Sequence, residues 1–191
     1  FTNDVLGIIT FIRLKLNDMI RYTGLILLGF ALFGCNDERA VNFSIDLATD
    51  VTVIATLGIE AEQEVLSETV IPKLEDAYNT NNTKSGLVND MTFSSIQLVM
   101  SDPEDASLSY IDDIEIYITS PDADLEDQLI GSAQNIGITQ SISFSRNSTD
   151  VQEYIKSGTV GFKLVYTSDE FAQVNREARI TTRLAADALE R

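Results

Sequence analysis

From Val41 onward, apolar side chains occupy alternate positions: Val41, Phe43, Ile45 and Leu47, then Val51, Val53, Ala55 and Leu57. A period of two over this distance predicts extended strand with one buried face. Thr49–Asp50 interrupts the apolar series and predicts a bend between two strands. Residues 60–78 break the alternation. It returns at Met91 and Phe93, then changes phase to Ile96, Leu98 and Met100, which predicts a bulge near Ser94–Ser95. Ile114, Ile116 and Ile118 alternate with Glu115, Tyr117 and Thr119, so the isoleucines face inward and the others outward. "QLIGSA" and "SISFS" predict two shorter strands, the second with Ile142 and Phe144 inward. Val160, Phe162, Leu164 and Tyr166 share one side of the next strand, and Ile180, Thr182, Leu184, Ala186 and Ala188 share one side of the last.

Helical signals are short. Pro72, placed at a first helical position and followed by Leu74, Ala77 and Tyr78, predicts one or two turns. "NTNNTKSG" at 79–86 is a loop, and "SPDADLED" at 120–127 is another. A second helix is expected at about 150–157. There Thr149 and Gln152 fit a capping box, Val151, Tyr154 and Ile155 share a face, and Gly158 is a stop. Seven or eight strands separated by turns, with one or two short helices, predict a single all-β domain. The expected fold is an immunoglobulin-like antiparallel β-sandwich over residues 41–191. No long helix alternates with the strands, which argues against a parallel α/β sheet.

Charge changes the picture next. The 191 residues carry a net −17, unevenly placed. Residues 1–35 have Arg13, Lys15 and Arg21 against Asp4 and Asp18, and the remainder holds 28 acids and 10 bases. A body this acidic repels phosphate backbones and anionic lipid headgroups, so no nucleic-acid partner is expected and any membrane hold must come from apolar insertion. The chain has no histidine, which excludes Ser-His-Asp and Cys-His nucleophiles and histidine-based metal sites. One cysteine excludes an internal disulfide and a CxxC pair. No enzymatic activity is expected.

That cysteine ends the most apolar stretch, "MIRYTGLILLGFALFGC", from Met19 to Cys35. Arg21 supplies a short positive region, Leu25–Phe33 a nine-residue apolar run, and Gly34 a small residue before Cys35. This is the order of a secretory signal, too short to span a bilayer core of about 30 Å. The tetrapeptide Leu32, Phe33, Gly34, Cys35 resembles the lipobox of bacterial lipoproteins. The resemblance implies a diacylglycerol joined by a thioether to Cys35 and cleavage before it. Two or three acyl chains, at about 0.8 kcal/mol per buried methylene, give a stable anchor. Residues 1–18 are expected to be an extension upstream of Met19, or else a long leading region or a fragment of a first membrane helix. Residues 19–34 are then the signal peptide and 35–40 a lipidated tether. Asp37 and Glu38 resemble the acidic export signal of some Bacteroidota surface lipoproteins, or form an ordinary solvated tether. The expected location is the outer membrane, on its periplasmic face or the cell surface. "YIDDIEIYITSPD" and "DVQEYIKSGTVGFKLVYTSDE" are similar to segments of small β-sandwich lipoproteins of Bacteroidota, from about residue 91 to the end.

Candidate chemistry in the body is sparse. Asp122, Asp124, Glu126 and Asp127 offer hard oxygens that a calcium ion could take, although Asp127 stands where an EF-hand loop needs glycine. Otherwise no cofactor is expected. Tyr110, Tyr117 and Tyr166 are candidate ligand-face aromatics, Tyr117 foremost because alternation aims it away from the isoleucines. The expected function is a membrane-anchored, non-enzymatic binding or scaffolding module with an envelope protein or glycan partner. Alternatives are a calcium-dependent adhesion or glycan-binding module and, behind these, a hydrolase built on paired carboxylates.

Overall fold

The expected alternation is realised on the long strands of a computed structural model, which describes residues 39–54, 62–103, 106–121, 125–168 and 174–191. The first strand, β1 (Ala40–Val53), buries Phe43, Ile45, Leu47, Thr49, Val51 and Val53. The expected bend at Thr49–Asp50 is absent. Thr49 stays in the buried series because its hydroxyl donates to the Glu68 carbonyl at 2.6 Å, and Asp50 turns outward to Arg179. Ala55 and Leu57 lie outside the described residues.

Among the described residues eight further strands follow: β2 (Gln63–Leu66), β3 (Val88–Asp102), β4 (Ile111–Thr119), β5 (Gln128–Gln134), β6 (Ser141–Ser143), β7 (Ser145–Arg146), β8 (Gly161–Ser168) and β9 (Arg176–Leu189). They form a four-stranded sheet, β1-β9-β3-β6, and a five-stranded sheet, β2-β8-β4-β5-β7, antiparallel throughout. The β-sandwich expected from the sequence is therefore present, with strand β2 added where the alternation is broken. Four residues with only Val65 buried are too short to register as a period.

Among the described residues, β4 and β5 are the one pair of bonded neighbours that is also consecutive in the chain. An immunoglobulin domain has several such pairs. The order seen here is that of a jelly roll, in which consecutive strands mostly cross between sheets. Alternation records which face a residue shows, not which strand lies beside it.

The bulge expected at Ser94–Ser95 is present, as a register shift against β9 between Phe93 and Ser95. It keeps Met91, Phe93, Ile96, Leu98 and Met100 all facing the core. The facing residues come from the other sheet, and Phe93 meets Phe162 edge-on at 6.1 Å. Both sides of the sandwich are tied. On one side Ser141–Ser143 pairs with β3 and Ser145–Arg146 with β5, so the segment passes between sheets at buried Phe144. Gly131 permits that crossing, because a Cβ there would lie 3.1 Å from Phe144 Cβ and 3.2 Å from the Ser145 carbonyl. On the other side, the Glu68 N–H donates to the Asp50 carbonyl at 3.1 Å, and the Tyr166 hydroxyl bonds the Ile54 N–H and carbonyl at 3.1 and 3.2 Å.

Two helices close the end where the chain enters β1. Helix α1 (Leu74–Thr80) starts after Lys73, so Pro72 lies just before the helix rather than at its first position. Tyr78 is buried and meets Phe43 edge-on at 6.1 Å. Helix α2 (Gln152–Lys156) buries Ile155, and Gly158 follows it at φ +100°, as expected of a stop. The capping box expected of Thr149 and Gln152 does not form. Asp150 acts instead, its Oδ1 accepting from the N–H groups of Gln152 and Met91, each at 3.0 Å. One carboxylate thus fixes the helix start and joins it to β3. Asp150→Ala should lower stability by about 1–2 kcal/mol in denaturant unfolding, and Asp150→Asn by much less. Equal losses for the two variants would show that the side-chain oxygen is not the cause.

Candidate binding face on the five-stranded sheet

The outer face of the five-stranded sheet follows directly from its inward one. Burying Ile114, Ile116 and Ile118 on β4 turns Asp113, Glu115 and Tyr117 outward, and burying Phe162, Leu164 and Tyr166 on β8 exposes Lys163, Val165 and Thr167. Register sets them in rows. Leu66, Lys163, Tyr117 and Leu129 lie side by side across β2, β8, β4 and β5. The next row is Glu64, Val165, Glu115 and Ser132.

Lys163 is the hub of the first row. Its ammonium lies 2.6 Å from Asp127 Oδ2, 3.9 Å from Glu64 Oε1 and 5.0 Å from the centroid of the Tyr117 ring. Tyr117 donates its hydroxyl to Glu115 Oε2 at 2.5 Å. The expectation that Tyr117 points away from the isoleucines is met. Its ring, however, already carries a cation and its hydroxyl already has an acceptor. Each bond favours the protonated form: the hydrogen bond to Glu115 pushes the Tyr117 phenol up to about 12, and the bond to Asp127 raises Lys163.

Beside this hub, the face sinks into a groove of about 240 Å³. Val165 lies in its floor, and Glu62, Asp113, Glu115, Ser132, Gln134 and Thr167 stand round it. The groove concentrates carboxylate, amide and hydroxyl oxygens, which accept hydrogen bonds.

The other expected site residues fare differently. Tyr110 and Tyr166 are not ligand-face aromatics; both are buried. Tyr166 binds the Ile54 backbone, and Tyr110 packs against the Arg176 guanidinium at 4.8 Å, burial pushing its phenol up to about 12. Arg176 in turn donates to the Ser107 carbonyl. Leu32, Phe33, Gly34, Cys35, Asp37, Glu38, Asp122 and Asp124 lie outside the described residues. Of the calcium candidates, Asp127 is held by Lys163 and the Glu126 carbonyl accepts from the Tyr154 hydroxyl at 2.5 Å. Among the described residues no group of acids is placed to hold a metal ion, and no helix is long and apolar enough to cross a membrane. Lys163, Glu62 and Glu64 were missed by sequence reasoning. Alternation does place Lys163 outward, but its partners come from β2 and the loop before β5, which only the register brings near.

No family model and no curated protein matches the chain. Among solved structures, it is similar to a protein of Eubacterium rectale described as secreted, at 14% identity and a TM-score of 0.39, covering 80% of this chain and 40% of that one. It is also similar to FlhE, at 8% identity and a TM-score of 0.29, covering 78% and 96%. A third is the coat protein of Tobacco streak virus, at 10% identity and a TM-score of 0.30, covering 82% and 90%. At these scores none carries an argument for this chain.

Because the Tyr117 phenol is raised above its ordinary range near 10, its contribution to stability is intact below about pH 10 and is lost as pH rises through about 12. Ultraviolet titration of Glu115→Gln should bring one tyrosine back toward 10. An unchanged titration curve would show that Glu115 does not hold the phenol.

Proposed function

We propose that this protein is an envelope lipoprotein: acylated Cys35 holds it at the outer membrane, and its β-sandwich binds a partner without catalysing a reaction. The observation that supports the reading is where the groove lies relative to the start of β1. Cys35 is five residues before β1 in the sequence, and β1 runs from Ala40 for fourteen residues, a rise of roughly 45 Å. Its far end reaches Ile54, bonded to Tyr166, and Tyr166 pairs with Gln63 and Ile114. Their neighbours Glu62, Asp113 and Thr167 line the groove. The binding face therefore belongs to the end of the domain remote from Ala40, where β1 begins.

The groove also bears on what is bound. Ionised carboxylates only accept hydrogen bonds, so a ligand must bring donors, whether hydroxyls of a glycan or ammonium and guanidinium groups of a protein.

Two measurements test the two halves of this reading. Cys35→Ala, or inhibition of lipoprotein signal peptidase, should leave an unprocessed chain that no longer partitions with lipid; unchanged migration and partitioning would exclude the anchor. Crosslinking of the tagged lipoprotein in native membranes should capture a partner that the Glu62→Gln, Asp113→Asn pair reduces about tenfold, as for loss of charged hydrogen bonds. Equal capture by both forms would exclude the groove.

A further inference from the structure

Among the described residues the sandwich has four sheet edges, and three are short. β2 has four residues, β6 three and β7 two. The fourth, β1, runs fourteen residues and pairs with β9 from Ala40 to Val53 without a shift. Its later part is covered by the hydrogen bonds of Thr49 and Asp50 to Glu68. Its earlier part, Ala40–Ala48, has no strand bonded to its outer edge among the described residues.

Exposed edges are normally blunted by charge, proline, a bulge or shortness. "AVNFSIDLA" contains no proline and no glycine, and its single charge, Asp46, is neutralised by the Arg183 fork at 2.7 and 3.2 Å. None of these devices is in force here.

We propose that this edge joins two copies of the chain, β1 against β1, antiparallel about a two-fold axis, in one eight-stranded sheet. An antiparallel edge is complementary to its own two-fold copy, because donors and acceptors alternate with the same period in both. Nine residues so paired make about nine main-chain hydrogen bonds, within the roughly 10 ± 5 of a stable protein interface. Charge selects the same place. Two bodies this acidic repel each other, and the cost is least where acids are already paired. Beside this edge Asp46 is bound to Arg183 and Asp50 to Arg179, whereas the unpaired acids of the groove belong to the other sheet.

The test is sedimentation of the full-length chain in density-matched mild detergent over a wide range of concentration. The wild type should show twice the monomer mass. Ser44→Lys, which sets like charges against each other across the axis, should halve it. Ser95→Lys adds the same charge to the same sheet face on central strand β3 and should leave the dimer intact. Hydrogen exchange gives a second reading: the β1 amides facing away from β9 should be protected in the wild type and exchange on the order of tenfold faster in Ser44→Lys. A monomeric wild type overturns the proposal, as does a dimer that survives Ser44→Lys or is lost equally in Ser95→Lys. If Ser44→Lys does not fold, rapid exchange of those amides in the wild type overturns it and protection supports it.

Discussion

Each long strand of this protein has one apolar face that only the opposite sheet can cover, and everything else is arranged around that need. Phe93 on β3 meets Phe162 on β8, and Leu98, Ile180 and Leu184 share one buried core with the isoleucines of β4. Burying a side chain of this size contributes about 1.5–3 kcal/mol, so the core is the main source of stability. Because neighbours in each sheet are mostly distant in the chain, these contacts must be made together, at the cost of closing several long loops. The ties along both sides, at Phe144 and at Asp50–Glu68, hold the sheets in register once they meet.

The same constraint explains what was legible in the sequence. Burial on one face leaves a period of two, so the long strands, the bulge at Ser94–Ser95 and the inward residues of β4, β8 and β9 are written in the order of the residues themselves. The break at Thr49–Asp50 misled because a buried threonine looks polar until its hydrogen bond to Glu68 is known. The cap at α2 misled for a related reason: beside its local bond to the Gln152 N–H, Asp150 is bonded to Met91 on β3, which local spacing does not reveal. Strand β2 was too short to show a period. Jelly-roll order was invisible because pairing leaves no periodic mark.

The candidate site was half legible. Alternation aimed Tyr117 and Lys163 outward, but the cluster they form with Glu64, Asp127 and Glu115 depends on cross-strand register. That register gives the groove its chemistry, since carboxylates from the residue before β2 and from β4 meet amide and hydroxyl groups from β5 and β8 around Val165. Lys163 is drawn into salt bridges at the side of this groove, so among the described residues no cation stands with the acids that line it. Such a surface can accept hydrogen bonds from a donor-rich partner, as the proposed binding role requires.

The claim on which the functional account stands is that Cys35 carries the anchor. Intact mass spectrometry of the protein extracted from its native membranes tests this most directly. The account predicts a chain that begins at Cys35 with a diacylglyceryl group on its sulfur. A chain that keeps residues 19–34 and a free thiol would contradict it.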